Sequence, residues 1–376
     1  MTRYKGEEPL SSYLKKYFSS SKKFGARDRR EISHVCYCYF RLGKAAMSLT
    51  IEERLLTGLL LCSDQPGEIL SALEPEWNEK VHLPLQQKLL FIHSSLLITD
   101  VFPWKNELSD AIDHEKFSES FFTQPDLFIR LRPGSEKTVI DKLQKAKHEF
   151  KMISESCLAF PNSSRLSSII ELDKEAVIQD YNSQRVDKIL RSAFSSARNE
   201  KPAVWDCCAG SGGKSIMAHD INSRIDLTVS DVRESILANL KKRFANAGIK
   251  NYKSYLVDLT SDESEIPNLK SEMIICDAPC TGSGTWSRTP EQLYFFNDNE
   301  IERFSFRQKK IVSNVIPRLQ SGGSFIYITC SVFRKENEGV VEFIKENFHL
   351  QMTHMEVLKG YDKKADSMFA ALFEKL

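Results

Sequence analysis

Two cysteines stand in contexts that could do covalent chemistry together. Cys280 lies in Asp277-Ala-Pro-Cys280-Thr-Gly-Ser-Gly, and Cys330 in Tyr-Ile-Thr-Cys330-Ser. Each follows a short apolar run, Met273-Ile-Ile-Cys-Asp and Phe325-Ile-Tyr-Ile-Thr, of the kind buried on both faces of a parallel sheet. Both thiols should emerge at strand carboxyl ends, where open α/β sheets place ligands and reactions. Two nucleophiles at one edge, beside the carboxylate of Asp277, fit a covalent reaction on an electrophilic ring. Taken alone, the residues give either thiol the attacking role, and small structural cysteines are the plain alternative.

The elements that must position them alternate from Val177 onward. Strands are predicted at Ala203–Cys208, Asp226–Asp231, Tyr252–Asp258, Met273–Asp277 and Ser324–Thr329, with helices through Lys214 to His219 and from Ser235 to Ala247. That order predicts an α/β fold with a parallel, doubly wound, Rossmann-like sheet and right-handed crossovers. Upstream, residues 1–120 read as a helical domain. Ile32, Val35, Cys36, Tyr39 and Phe40 form one stripe, and Thr50 with Glu53 forms a capping box ahead of Ile51–Cys62. Residues 121–176 read as a small α/β subdomain: a strand at Leu127–Arg132, a Pro133-Gly134 turn and a helix over Ser135–Phe150. Arg130 and Arg132 are expected to be free there to touch a polyanion. Residues 177–376 are left as the catalytic domain.

Composition sets the class. At 376 residues, with 41% hydrophobic and 27% charged content, the chain suits a soluble globular protein of two or three domains. No apolar run approaches a membrane span and the start lacks a signal-peptide core, so a cytoplasmic location without a membrane partner is expected. Nine cysteines, an odd number without zinc-ligand spacing, suit a reducing compartment. Cys207-Cys208 lacks partners for a metal, so no metal site is expected, and Cys36, Cys38, Cys62 and Cys157 read as core residues. The net charge of +1 conceals a basic start: residues 1–44 hold eleven Lys/Arg against four acids, Lys22, Lys23 and Arg27 among the cations. Such a block is either a phosphate-contacting surface or a solvated helix face.

The turn Cys208-Ala209-Gly210-Ser211-Gly212-Gly213-Lys214 joins a strand to a helix, with glycines that permit positive φ and close ligand approach. It matches neither the dinucleotide fingerprint nor a phosphate-binding P-loop. Asp231, Asp258 and Asp277 end the strands that follow. A carboxylate at the second strand end can accept both ribose hydroxyls, and one at the third can accept from an adenine amino group. Together they favour an adenosine-containing ligand. S-adenosylmethionine fits better than NAD, since no pyrophosphate signature is present.

Asp206-Cys-Cys208-Ala-Gly-Ser-Gly-Gly-Lys214, Asp277-Ala-Pro-Cys280-Thr-Gly-Ser-Gly and Thr329-Cys330-Ser331 resemble, in order and spacing, the Sun/Fmu (RsmB-like, NOL1/NOP2/Sun) family of RNA cytosine-C5 methyltransferases. Val177-Ile-Gln179-Asp180-Tyr-Asn-Ser183 looks like that family's entry to the catalytic domain. Arg307-Gln308-Lys-Lys-Ile311 and Lys335-Glu-Asn337-Glu fit its later segments. Phe24-Gly-Ala-Arg27-Asp28-Arg29 resembles the start of the NusB-like RNA-binding domain that several bacterial members carry. The glycine loop departs from the family, having Ala209-Gly210-Ser211 where Ala-Ala-Pro is usual, and losing the proline should loosen the turn.

The resemblance implies a chemistry and its actors. Carbon 5 of cytosine becomes nucleophilic only after a thiolate adds to carbon 6; by resemblance Cys330 is that nucleophile, while Cys280 assists elimination and product release. DNA cytosine methyltransferases instead use the cysteine of their Pro-Cys pair. Asp277 would meet the ring at N3, Lys214 would help favour the Cys330 thiolate, and Cys208 to Lys214 with Asp231, Asp258 and Asp277 would hold S-adenosylmethionine. The target base must leave its stack. Arg288 would contact RNA, whereas Trp286 and Tyr294 suit RNA stacking and core packing equally. The implied substrate is small-subunit ribosomal RNA and the expected state a monomer. Transfer RNA is the alternative substrate, and a non-catalytic ribosome-assembly factor the alternative function.

Overall fold

The strand–helix alternation after Val177 folds, in the computed structural model, into one large sheet whose carboxyl edge gathers the chemically interesting residues. Residues 3–21, 23–92, 96–261 and 266–376 are described; Lys22, one of the cations singled out above, lies outside them. The sheet comprises β5 (Ala203–Asp206), β6 (Asp226–Asp231), β7 (Tyr252–Leu256), β8 (Ser271–Asp277), β9 (Leu319–Thr329), β10 (Leu350–Leu358) and β11 (Met368–Lys375), in the order β10-β11-β9-β8-β5-β6-β7. Strands β5 to β9 pair in parallel, and β11 runs antiparallel between β9 and β10. The order reverses between β5 and β8, which opens a crevice at their carboxyl ends.

Each central strand is buried on both faces. Val204, Leu227, Val229, Ile275 and Ile326 pack on one side. Trp205, Ile274, Cys276, Phe325 and Tyr327 pack on the other. This is why the strands read as nearly continuous apolar runs. Helices Gly213–Ile221 and Glu234–Ala247 fall where the pattern predicts them, the second ending at Gly248 with φ 77°.

A four-stranded antiparallel sheet precedes this one, in the order β2-β3-β1-β4, from β1 (Leu127–Leu131), β2 (Lys151–Ser154), β3 (Cys157–Phe160) and β4 (Ala176–Ile178). Its helix covers Glu136–Lys145, shorter than expected, because Lys147 takes φ 51° and turns the chain toward β2.

The chain forms two compact units: the stretch up to Pro125 with Thr285–Asp298, and Asp126–Gly284 with Asn299–Leu376. The first is helical. It includes Leu10–Ser20, Ala26–Arg41 and Ile51–Cys62, the last opened by reciprocal bonds between Thr50 and Glu53. The segment Thr285–Asp298 belongs here because of its aromatic residues. Trp286, 1% exposed, packs against Phe296 and Phe102. Tyr294 meets Phe40 edge-on and lies under the buried Arg54 guanidinium. Trp286 is a core residue, and Tyr294 is half-buried against the helical unit's aromatic cluster. No helix among the described residues is long and apolar enough to cross a membrane.

Candidate active site

The glycine loop is held by bonds its sequence alone does not announce. Gly210 and Gly212 take φ 53° and 85°, and a Cβ on Gly212 would strike Phe244 at 2.6 Å. Gly210 N–H donates to Asp231 Oδ2 at 3.0 Å. Arg243, from the Glu234–Ala247 helix, donates to the carbonyl and hydroxyl of Ser211 at 2.9 and 2.8 Å, and Asp173 pairs with it at 2.8 Å. The turn that lacks a proline is therefore clamped by a side chain.

A cavity of about 350 Å³ opens over this loop, lined by Cys208, Asp231, Asp258, Asp277, Cys280 and Arg307 among others. Asp231 also accepts from Arg233. Burial pushes its carboxyl up, but the Arg233 and Gly210 bonds outweigh that and leave it below the usual range. Asp258 Oδ1 is engaged by the Thr260 hydroxyl and amide, which lower its carboxyl. Oδ2 has no hydrogen-bond partner among the described residues. A Cβ on Gly210 or Gly213 would find nothing within 4 Å, so backbone is open to a ligand there.

Lys214, 6% exposed, donates to Asp277 Oδ2 at 3.0 Å and to Ser183 Oγ at 2.7 Å. Gln179 donates to Ser183 as well, at 3.2 Å. The Gln179 and Ser183 side chains thus orient the lysine that orients Asp277, a role unassigned from sequence although the motif was visible.

The two thiols meet. Cys280 Sγ and Cys330 Sγ are 3.3 Å apart, and the Gly284 amide donates to the Cys330 carbonyl at 2.9 Å. The hydrogen bond to Cys330, burial and the nearby Glu336 charge all raise the Cys280 thiol. Cys280 therefore holds its proton tightly. Both cysteine loops converge on Glu336, which is fully buried. Its carboxylate accepts from Thr281 N (2.9 Å), Thr281 Oγ1 (2.5 Å), Ser331 Oγ (2.6 Å) and Gln308 Nε2 (3.1 Å). Gln308 also donates to the Pro279 carbonyl at 3.1 Å. Glu336 and Gln308 lie in segments noted for their resemblance but given no role; as neighbours of both loops they fix where the thiols stand.

Two expectations need correction. Arg130 and Arg132 are not free: both bond the buried Asp220, at 2.7 and 2.6 Å, with side chains 8% and 12% exposed. They join β1 to the Gly213–Ile221 helix because strand alternation left two cations facing one buried acid. Cys207-Cys208 does have a partner. The register that sets Asp206 beside Ile275 brings Cys276 to Cys207, and the three Sγ atoms lie within 4.8 Å of one another. Hydrogen bonds from Cys207 and Cys276 hold the Cys208 thiol well below its ordinary range. In the helical unit, Lys23 is exposed with its ammonium over Phe24, Arg27 pairs with Glu68, and Arg288 lies partly exposed in the turn after Thr285.

Residues 193–372 match the family described as 16S rRNA methyltransferase RsmB/F. This part of the chain is similar to the RsmB/F family. A curated RsmB/F relative, ribosomal RNA small subunit methyltransferase B of Proteus mirabilis, is 26% identical over 203 residues, 53% of this chain and 46% of its own length. The chain thus spans about half the length of the curated relatives it matches. The crystal structure of PH0851, 18% identical, superposes with a TM-score of 0.71 over 97% of this chain and 95% of its own. NSun6 from Pyrococcus horikoshii, solved with SFG, is 15% identical, with a TM-score of 0.61 over 70% of this chain and 94% of its own. These likenesses show that the chain shares its fold with both structures.

Proposed function

We propose that this chain is an S-adenosylmethionine-dependent methyltransferase forming 5-methylcytosine in RNA, acting as a cytoplasmic monomer on small-subunit ribosomal RNA. The observation that carries the reading is the Cys280–Cys330 pair at 3.3 Å, set on the edge where Lys214 holds Asp277. The RsmB/F relationship supports the RNA substrate. The proposed organisation is a helical NusB-like RNA-binding domain (1–120), a small α/β subdomain (121–176) and the catalytic domain (177–376).

The cavity suits S-adenosylmethionine. Asp231 would accept the ribose hydroxyls, Asp258 Oδ2 the adenine amino group, and the open loop from Cys208 to Lys214 would lie along the ligand. NSun6, of the same fold, was solved with the S-adenosylmethionine analogue SFG. Bound there, S-adenosylmethionine supplies the methyl group.

The chain's own residues do the rest. Cys330 adds as thiolate to cytosine C6, and the electron pair of the ring double bond moves to C5 and toward N3. Asp277 hydrogen-bonds N3 and delivers a proton to it, which the Lys214 ammonium can replace. Once C5 carries its methyl group, the Cys280 thiol gives its proton to the departing Cys330 sulfur. The thiolate so formed takes the C5 proton, the carbon–sulfur bond breaks, N3 returns its proton through Asp277 to Lys214, and the aromatic ring is restored. The test is bisulfite sequencing of total RNA with and without the gene. Loss of one modified cytosine in small-subunit ribosomal RNA is expected. Loss in transfer RNA moves the substrate, and no loss refutes the reading.

A further inference from the structure

The Asn299–Val315 helix buries Ile301, Ser305, Gln308, Val312 and Val315 on one side. Phe304, Arg307 and Ile311 line the cavity on its flank. On the remaining side Arg303, Phe306, Arg307 and Lys310 follow at the three- and four-residue steps that stack side chains into one stripe roughly 100° wide. Phe306 is 73% exposed, the most exposed aromatic side chain among the described residues, and makes no ring contact there. From Arg303 onward the helix holds four cations and no acid.

A large aromatic ring in water is costly unless something covers it. We propose that this stripe is a stacking platform for single-stranded RNA: Phe306 receives an unpaired base next to the target nucleotide, and Arg303, Arg307 and Lys310 neutralise the phosphates on either side. Charge complementarity selects this occupant. Three cations in one stripe with an exposed ring repel most basic partners and suit a polyanion whose bases present flat faces. Placement agrees, since Arg307 borders both the stripe and the cavity that holds Cys280. Arg303 is paired with Glu300 but 68% exposed, so its guanidinium can exchange that partner for a phosphate. The target base must be unstacked for C6 to be reached, and its neighbour then needs a substitute surface.

The inference rests on the proposed RNA substrate, and binding separates it from activity. The full chain would be titrated into a dye-labelled oligocytidylate, with cofactor affinity measured in parallel by calorimetry. Phe306→Ala should weaken RNA binding about 5- to 100-fold, Phe306→Trp should restore it, and S-adenosylmethionine affinity should not change. Lys310→Ala should flatten the salt dependence of RNA binding by about 0.7 in log–log slope. Equal RNA affinity of Phe306→Ala and wild type overturns the inference and leaves the ring to a protein partner. Phe306-dependent binding by a wild type that methylates no RNA supports the platform and refutes the methyltransferase reading.

Discussion

Replacing Glu336 separates its charge from its shape. Its Oε2 accepts the Thr281 and Gln308 N–H groups, and its Oε1 accepts the Thr281 and Ser331 hydroxyls. In Glu336→Ala the two N–H donors lose their acceptor inside the protein, at about 1–3 kcal/mol each, and a cavity opens. The two hydroxyls, 3.3 Å apart, can still bond each other. The net loss should be about 3–5 kcal/mol, with the cysteine loops released from one another. Glu336→Gln should behave differently. Its amide oxygen can take the two N–H donors while its amide N–H₂ donates to hydroxyls that are able to accept. Burial already pushes the Glu336 carboxyl up, toward the neutral form a glutamine imitates. The glutamine variant should therefore unfold within about 1 kcal/mol of wild type. Urea unfolding measures the first effect, and trapping of a protein–RNA adduct on 5-fluorocytosine RNA measures the second. Adduct formation should be lost in Glu336→Ala and retained in Glu336→Gln. An alanine variant as stable and reactive as wild type, or a glutamine variant as damaged as alanine, refutes the bracing role.

Two further outcomes are expected. Arg243→Ala should release Ser211 and weaken S-adenosylmethionine binding about tenfold by calorimetry, since one cation makes two hydrogen bonds to the loop; unchanged affinity refutes the clamp. Asp206 is fully buried, and burial raises its carboxyl from near 3.8 to about 7. The folded state then holds this proton more tightly than the unfolded chain, so its contribution is fully present below about pH 4 and lost as pH rises to about 7. The shift corresponds to about 4 kcal/mol. The stability of wild type relative to Asp206→Asn should fall by about that much across this range in urea titrations, and a constant difference contradicts it.

The features legible in the sequence were those written locally. The runs Val204–Asp206 and Ile274–Asp277 announced buried parallel strands, and Cys280 and Cys330 follow strands that the fold makes neighbours. The glycine loop and its aspartates were readable for the same reason. What stayed hidden depended on pairings distant in the chain. Nothing around Arg243 says it will clamp Ser211, and nothing around Arg130 says Asp220 will take its charge. Cys276 reads as a core residue until strand register sets it beside Cys207. Pro290–Phe295 has the pattern of any short helix, and only its aromatic partners, Phe40 and Tyr4 among them, assign it to the helical unit.

The central claim is a division of labour between two adjacent sulfurs, and adduct trapping tests it most directly. Cys280→Ala, incubated with substrate RNA and S-adenosylmethionine, should accumulate a covalent protein–RNA species that denaturing gels resolve and ribonuclease shortens. Cys330→Ala should form none while still binding the cofactor. An adduct in Cys330→Ala, or methylation by that variant at the wild-type rate, contradicts the account.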